Sequence, residues 1–66
     1  MKFFIECCKS KEKDTTYHAL KVDFGYRVGV LTMDKNIMAE IADVKISDLF
    51  SMQVGDKIEF NISVSK

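Results

Sequence analysis

Tyr17-His18-Ala19-Leu20-Lys21-Val22-Asp23-Phe24-Gly25-Tyr26-Arg27-Val28-Gly29-Val30-Leu31-Thr32-Met33 is the stretch on which the fold turns. From Tyr17 to Phe24 the side chains alternate. His18, Leu20, Val22 and Phe24 share one face, and Tyr17, Ala19, Lys21 and Asp23 share the other, which is the period of a half-buried strand. Gly25-Tyr26 fits a two-residue type II′ turn, because glycine at the first position accepts the positive φ that this turn requires. Arg27 to Met33 then returns. The turn predicts that Phe24 lies opposite Arg27, Val22 opposite Gly29, Leu20 opposite Leu31 and His18 opposite Met33. The competing reading is one long bent strand with Gly25 and Gly29 as kinks.

On the C-terminal side, Asp34-Lys35-Asn36 reads as a three-residue hairpin loop, with Asn36 able to take the left-handed position. Ile37 to Ala42 is then a third strand of a meander. Opposed residues share a face, so Leu20, Val22, Leu31, Met33, Ile37, Ala39 and Ile41 are expected to line the core. After Asp43 the period changes. Ile46, Leu49 and Phe50 are spaced i, i+3, i+4 on a short helix, with Ser47 as its cap and Asp48 in the first turn. Val54-Gly55-Asp56 is a turn. Lys57 to Ser65 alternates again, with Ile58, Phe60, Ile62 and Val64 inward.

On the N-terminal side, Lys2 to Cys8 reads as a strand with Phe3, Ile5 and Cys7 on one face, and Lys9 to Thr16 as a polar loop. The order is β-β-β-β-α-β, a mainly β chain. Five short strands and one helix bury an apolar face by curling, so the expected architecture is a small five-stranded barrel or strongly curled antiparallel sheet, sealed by pairing of the last strand with the first. An open sheet with the short helix across one face is the alternative.

Sixty-six residues allow one domain, residues 1–66, whose core is small and whose stability is marginal. Apolar residues at 47% exclude a disordered charged tail, and ten cations balanced by ten anions exclude a strong single-sign field. No apolar run is long enough for a membrane span, so no membrane partner is expected. The start at Met1 lacks the apolar region of a secretory signal. Cys7 and Cys8 are adjacent, which closes no useful loop, so two free thiols in a reducing cytoplasm are expected.

The residues that could carry chemistry are few. His18, the one histidine, falls on the predicted core face as a structural, hydrogen-bonded group. Cys7 points inward as a small hydrophobe, and Cys8 points outward as a thiol without a supporting motif. Cys7, Cys8 and His18 are too few for a zinc site, and Gly25, Gly29 and Gly55 do not have phosphate-loop spacing. No enzyme activity, cofactor or metal is therefore expected.

Two binding features remain. Val28, Val30, Met38 and Ala42 fall on the face away from the predicted core, with Tyr26 near them. Such an apolar surplus marks either a protein contact, with a partner or with a second copy in a homodimer, or a face that the short helix or the N-terminal strand covers. The alternative is single-stranded nucleic acid, held by Lys9, Lys11, Lys13, Tyr17, Lys21 and Arg27 through stacking and phosphate attraction. Residues 1–35 carry seven cations against five anions, and residues 36–66 three against five, but Glu12, Asp14 and Asp23 dilute the basic half.

The segments YHALKVDFGYRVGVLT and ISDLFSMQVGDKIEF, within Tyr17–Phe60, resemble short uncharacterised proteins of phages and prophages of Gram-positive bacteria. VGDKIEF is also similar to the turn and strand that end many small β-barrels. The resemblance implies a cytoplasmic accessory or regulatory protein of the bacterial host cell, and it carries no catalytic residue.

Overall fold

The structure is a computed structural model that describes residues 2–61. Its elements run β1 (Lys2–Lys9), β2 (Thr16–Asp23), β3 (Val28–Thr32), α1 (Lys35–Ala42), α2 (Ile46–Phe50) and β4 (Lys57–Phe60). The four strands form one antiparallel sheet in the order β3-β2-β1-β4. The last strand does pair with the first, Ile58 opposite Ile5 and Phe60 opposite Phe3. The sheet nevertheless stays open, with β3 and β4 at its edges, so the five-stranded barrel is not formed. Ile62, Ser63, Val64 and Ser65 of the expected last strand lie outside the described residues.

The reversal at Gly25 is present. Gly25 has φ +98°, and the Phe24 amide donates to the Arg27 carbonyl at 2.9 Å, closing a two-residue turn. Val22 lies opposite Gly29 and Asp23 opposite Val28, as the turn requires. Further along the ladder a bulge intervenes. Lys21 pairs with Val30 but Leu20 pairs with Thr32, so Leu31 is the extra residue and not the partner of Leu20.

The third meander strand is replaced by α1. Asp34 starts a helix here and does not open a hairpin loop: its carboxylate accepts from the amides of Asn36 (2.9 Å) and Ile37 (3.2 Å). The left-handed residue is Asp43 (φ 57°), not Asn36, and it ends α1 by letting the Val44 amide reach the Ala39 carbonyl. Helical spacing turns Met38, Ala39 and Ala42 inward and leaves Ile37 and Ile41 exposed. Leu31 and Met33 are exposed too, so of the expected core set only Leu20, Val22 and Ala39 are buried. α2 forms where its apolar spacing places it, but its cap is not Ser47. Lys45 precedes the first turn, and its amide donates to the Asp48 carboxylate at 3.3 Å.

The physical reason for these differences is the apolar sheet face. Ile5, Leu20, Val22, Cys7 and His18 point to one side, and four strands cannot curl far enough to cover it themselves. The two helices cover it instead. Met38 from α1 and Leu49 from α2 are fully buried against Ile5 and Leu20, with Ala42, Val44, Ile46, Met52, Ile58 and Phe60 packed around them.

Leu49 is the largest contribution of α2 to this core. Leu49→Ala should cost roughly 2–5 kcal/mol, a large share of a small domain's stability. Urea melts followed by circular dichroism should show the midpoint collapse, whereas Phe50→Ala, at an exposed position, should leave it nearly unchanged.

Candidate functional site

Among the described residues, no helix lies on the opposite face of the sheet. Register places Phe4, Glu6 and Cys8 of β1, Tyr17, Ala19, Lys21 and Asp23 of β2, and Val28 and Val30 of β3 on this side. The molecule measures 42 × 30 × 16 Å, and its thin dimension leaves room for one sheet and one helical layer.

The centre of this face is polar. Lys21 Nζ donates to Glu6 Oε1 at 2.7 Å, with both side chains about three-quarters covered, and Ala19, the β2 residue opposite Glu6, is buried. The Lys21 hydrogen bond holds the Glu6 carboxyl below its ordinary value of 4.5, helped by the Lys21 and Lys57 charges and opposed by burial. The same bond raises Lys21 above 10.5 against the effect of burial. Lys57 reaches over the Phe4 ring, 5.2 Å from its centre. The β3 side of the face is aliphatic, with Val28 53% and Val30 56% exposed.

The five residues expected to form an apolar contact surface therefore separate. Val28 and Val30 stand on the open face. Met38 is fully buried in the core and Ala42 packs beside it, because helical geometry replaces the two-residue period that had turned both outward. Tyr26 projects from the β2–β3 turn, where Arg27 lies against its ring and that of Phe24.

The six residues of the nucleic-acid reading separate as well. Lys9, Lys11, Lys13 and Tyr17 border an open depression beside Met33 at one end of the sheet. Lys9 is paired with Asp14 at 2.9 Å and Lys21 with Glu6. Arg27 lies at the far end of β2, on the order of 25 Å away along the strand.

His18 and Cys7 are directly opposed on the covered face. His18 is 5% exposed, and its Nε2 meets the Leu49 carbonyl. A carbonyl only accepts, so Nε2 carries the proton, and this bond ties β2 to α2. Nδ1 is buried and has no hydrogen-bond partner among the described residues. Burial pushes the Cys7 thiol up, and the neighbouring Cys8 and Asp56 add to the shift. Cys8 is half-buried on the other face, its thiol near the Glu6 carbonyl at 3.8 Å. Both cysteines are free thiols.

The Glu6–Lys21 pair depends on long-range register: pairing β1 with β2 across the polar loop brings position 6 beside position 19, the next outward-facing neighbour of which is Lys21. Among the described residues, no three His, Cys, Asp or Glu side chains gather as a metal site, and no helix is long and apolar enough to cross a membrane. Comparison with family models, with curated proteins and with solved structures finds no match.

Two measurements follow from this geometry. Because the folded Glu6 is more acidic than the unfolded one, its contribution is complete above about pH 4.5 and is lost as pH falls through the folded value. Glu6→Gln should therefore lower stability by on the order of 1 kcal/mol at pH 7, and its unfolding curve should converge with the wild type in acid. Thiol labelling should separate the cysteines: Cys8 reacts in the folded protein, whereas Cys7, only 2% exposed, reacts at the rate of unfolding. Equal labelling rates would contradict the placement of Cys7.

Proposed function

We propose that this chain is a non-enzymatic binding module, a protein-interaction or regulatory accessory protein of phage or prophage type acting in the cytoplasm of a bacterial host. The observation that carries the reading is the exposure of Val28 and Val30 on the edge strand β3, on the face of the sheet opposite the helices. Apolar side chains grouped on an open surface gain free energy when a partner removes them from water. The neighbouring Glu6–Lys21 pair gives that surface a polar border with fixed donors and acceptors. His18, the one histidine, is held in the covered layer, which favours binding over catalysis. The phage-type assignment rests on the resemblance of the Tyr17–Phe60 segments.

Affinity capture from a bacterial lysate tests the reading. A specific protein should be retained after nuclease treatment by the wild type, and lost with Val28→Glu or Val30→Glu while the melting temperature is unchanged. Retention that disappears with nuclease and high salt would instead favour nucleic acid bound near Lys11 and Lys13. Captured protein that is indifferent to both substitutions would overturn the valine surface.

A further inference from the structure

The two edges of the sheet are protected unequally. β4 carries Lys57 and Glu59, charges that discourage pairing with another strand. β3 reads Val28-Gly29-Val30-Leu31-Thr32, without a charge or a proline. Its backbone is half committed. The Phe24–Arg27 hydrogen bond fixes the phase of the β2–β3 ladder, so Gly29 directs its amide and carbonyl toward Val22 on β2. The alternation then turns the amides and carbonyls of Val28 and Val30 outward, away from the sheet. These two residues also carry the exposed valine side chains.

We propose that β3 pairs antiparallel with β3 of a second copy of this chain, about a two-fold axis at Gly29. Val28 then faces Val30 of the other copy, and Val30 faces its Val28, each pair exchanging two main-chain hydrogen bonds. The arrangement is self-complementary, as an isologous contact must be. On the open face four valines meet across the seam as cross-strand neighbours. On the helical face the Phe24 ring already lies over Gly29, 3.5 Å from where a Cβ would stand, so the two Phe24 rings flank the axis. Gly29 opposes its own copy in the closely spaced position of the ladder, where a missing side chain removes crowding. A net charge of zero and an uncharged strand leave no repulsion to prevent the approach. The product is a continuous eight-stranded sheet. The proposal rests on the same two valines as the binding function and names the occupant as a second copy.

Such a seam is small, below the roughly 1,200 Å² of most stable complexes, so association should depend on concentration. Sedimentation equilibrium of the full chain, from low-micromolar to near-millimolar, should show the mass rising toward twice that of the monomer. Val30→Lys, an exposed substitution that leaves the core intact, should remain monomeric with unchanged circular dichroism. Amide hydrogen exchange followed by NMR reads the register. The Val28 and Val30 amides should exchange roughly tenfold more slowly in the associated state, whereas the Gly29 amide is already protected at low concentration. A monomer at every concentration, or a dimer in which Val28 and Val30 still exchange freely, overturns self-pairing. Either result leaves the capture experiment to decide the wider binding function, because a different protein can still be retained by a monomeric chain.

Discussion

Ile5 and Leu20 face each other at the centre of the sheet, and both are fully buried. Everything else in the fold follows from the need to keep this pair dry. Four strands of four to eight residues make a sheet with one strongly apolar face, and a sheet this narrow has too few strands to wrap around its own side chains. The cover comes from α1 and α2, which deliver Met38 and Leu49 onto Ile5 and Leu20. The helical layer is itself anchored at a polar point, the bond between His18 and the Leu49 carbonyl. The same carbonyl also accepts from the Met52 amide at 3.2 Å, so both of its acceptor positions are used at the end of this five-residue helix.

The β2–β3 reversal was legible because it depends on local chemistry. Gly25 is required for the positive φ, and strict alternation on either side sets the phase. The helix α1 was not, because two signals in its sequence coincide. Asp34 and Asn36 are residues that favour tight turns, and the same short polar side chain that begins a turn also caps a helix. Ile37, Ala39 and Ile41 satisfy a period of two, while Ile37 and Ile41 equally satisfy i, i+4. What decided between them was tertiary. On a strand Met38 and Ala39 would point to opposite faces, whereas on α1 both turn toward the one apolar sheet face that needs cover. Met, Ala and Glu are also good helix formers, a weak local preference that agreed with the tertiary demand.

The candidate surface was legible to the same degree. Val28 and Val30 follow the Gly25 turn in register and were placed on the open face by counting from it. Met38 and Ala42 inherited their placement from a strand that does not exist, and they moved to the core when that segment became helical. Of the six residues of the nucleic-acid reading, Lys9, Lys11, Lys13 and Tyr17 stay together, and Lys21 and Arg27 leave them. Their nearness in sequence was read as nearness in space, but β2 is extended, and it carries Lys21 to mid-sheet and Arg27 to the far turn. Lys21 is then engaged by Glu6, a partner fixed by the long-range pairing of β1 with β2, which no local pattern specifies.

Among the described residues, eight of the ten large exposed hydrophobic ones lie between Phe24 and Ile41, in the β2–β3 turn, β3, the linker and α1. A chain of this length cannot enclose all its apolar groups, so some must remain on the surface. Scattered, they would need no explanation. Their concentration in one contiguous segment means that the surplus sits around a single edge of the sheet, while the Glu6–Lys21 ion pair joins β1 to β2 and Lys57 of β4 lies over the Phe4 ring of β1. The bulge at Leu31 sharpens the division. By inserting one residue it removes Leu31 from the core, where Leu20 meets Thr32 instead, and adds another exposed aliphatic group to β3. A bulge shortens the regular part of an edge and so limits how far another strand can extend along it. Here it leaves the segment Val28–Val30 regular, enough for a short specific pairing and too little for open-ended association.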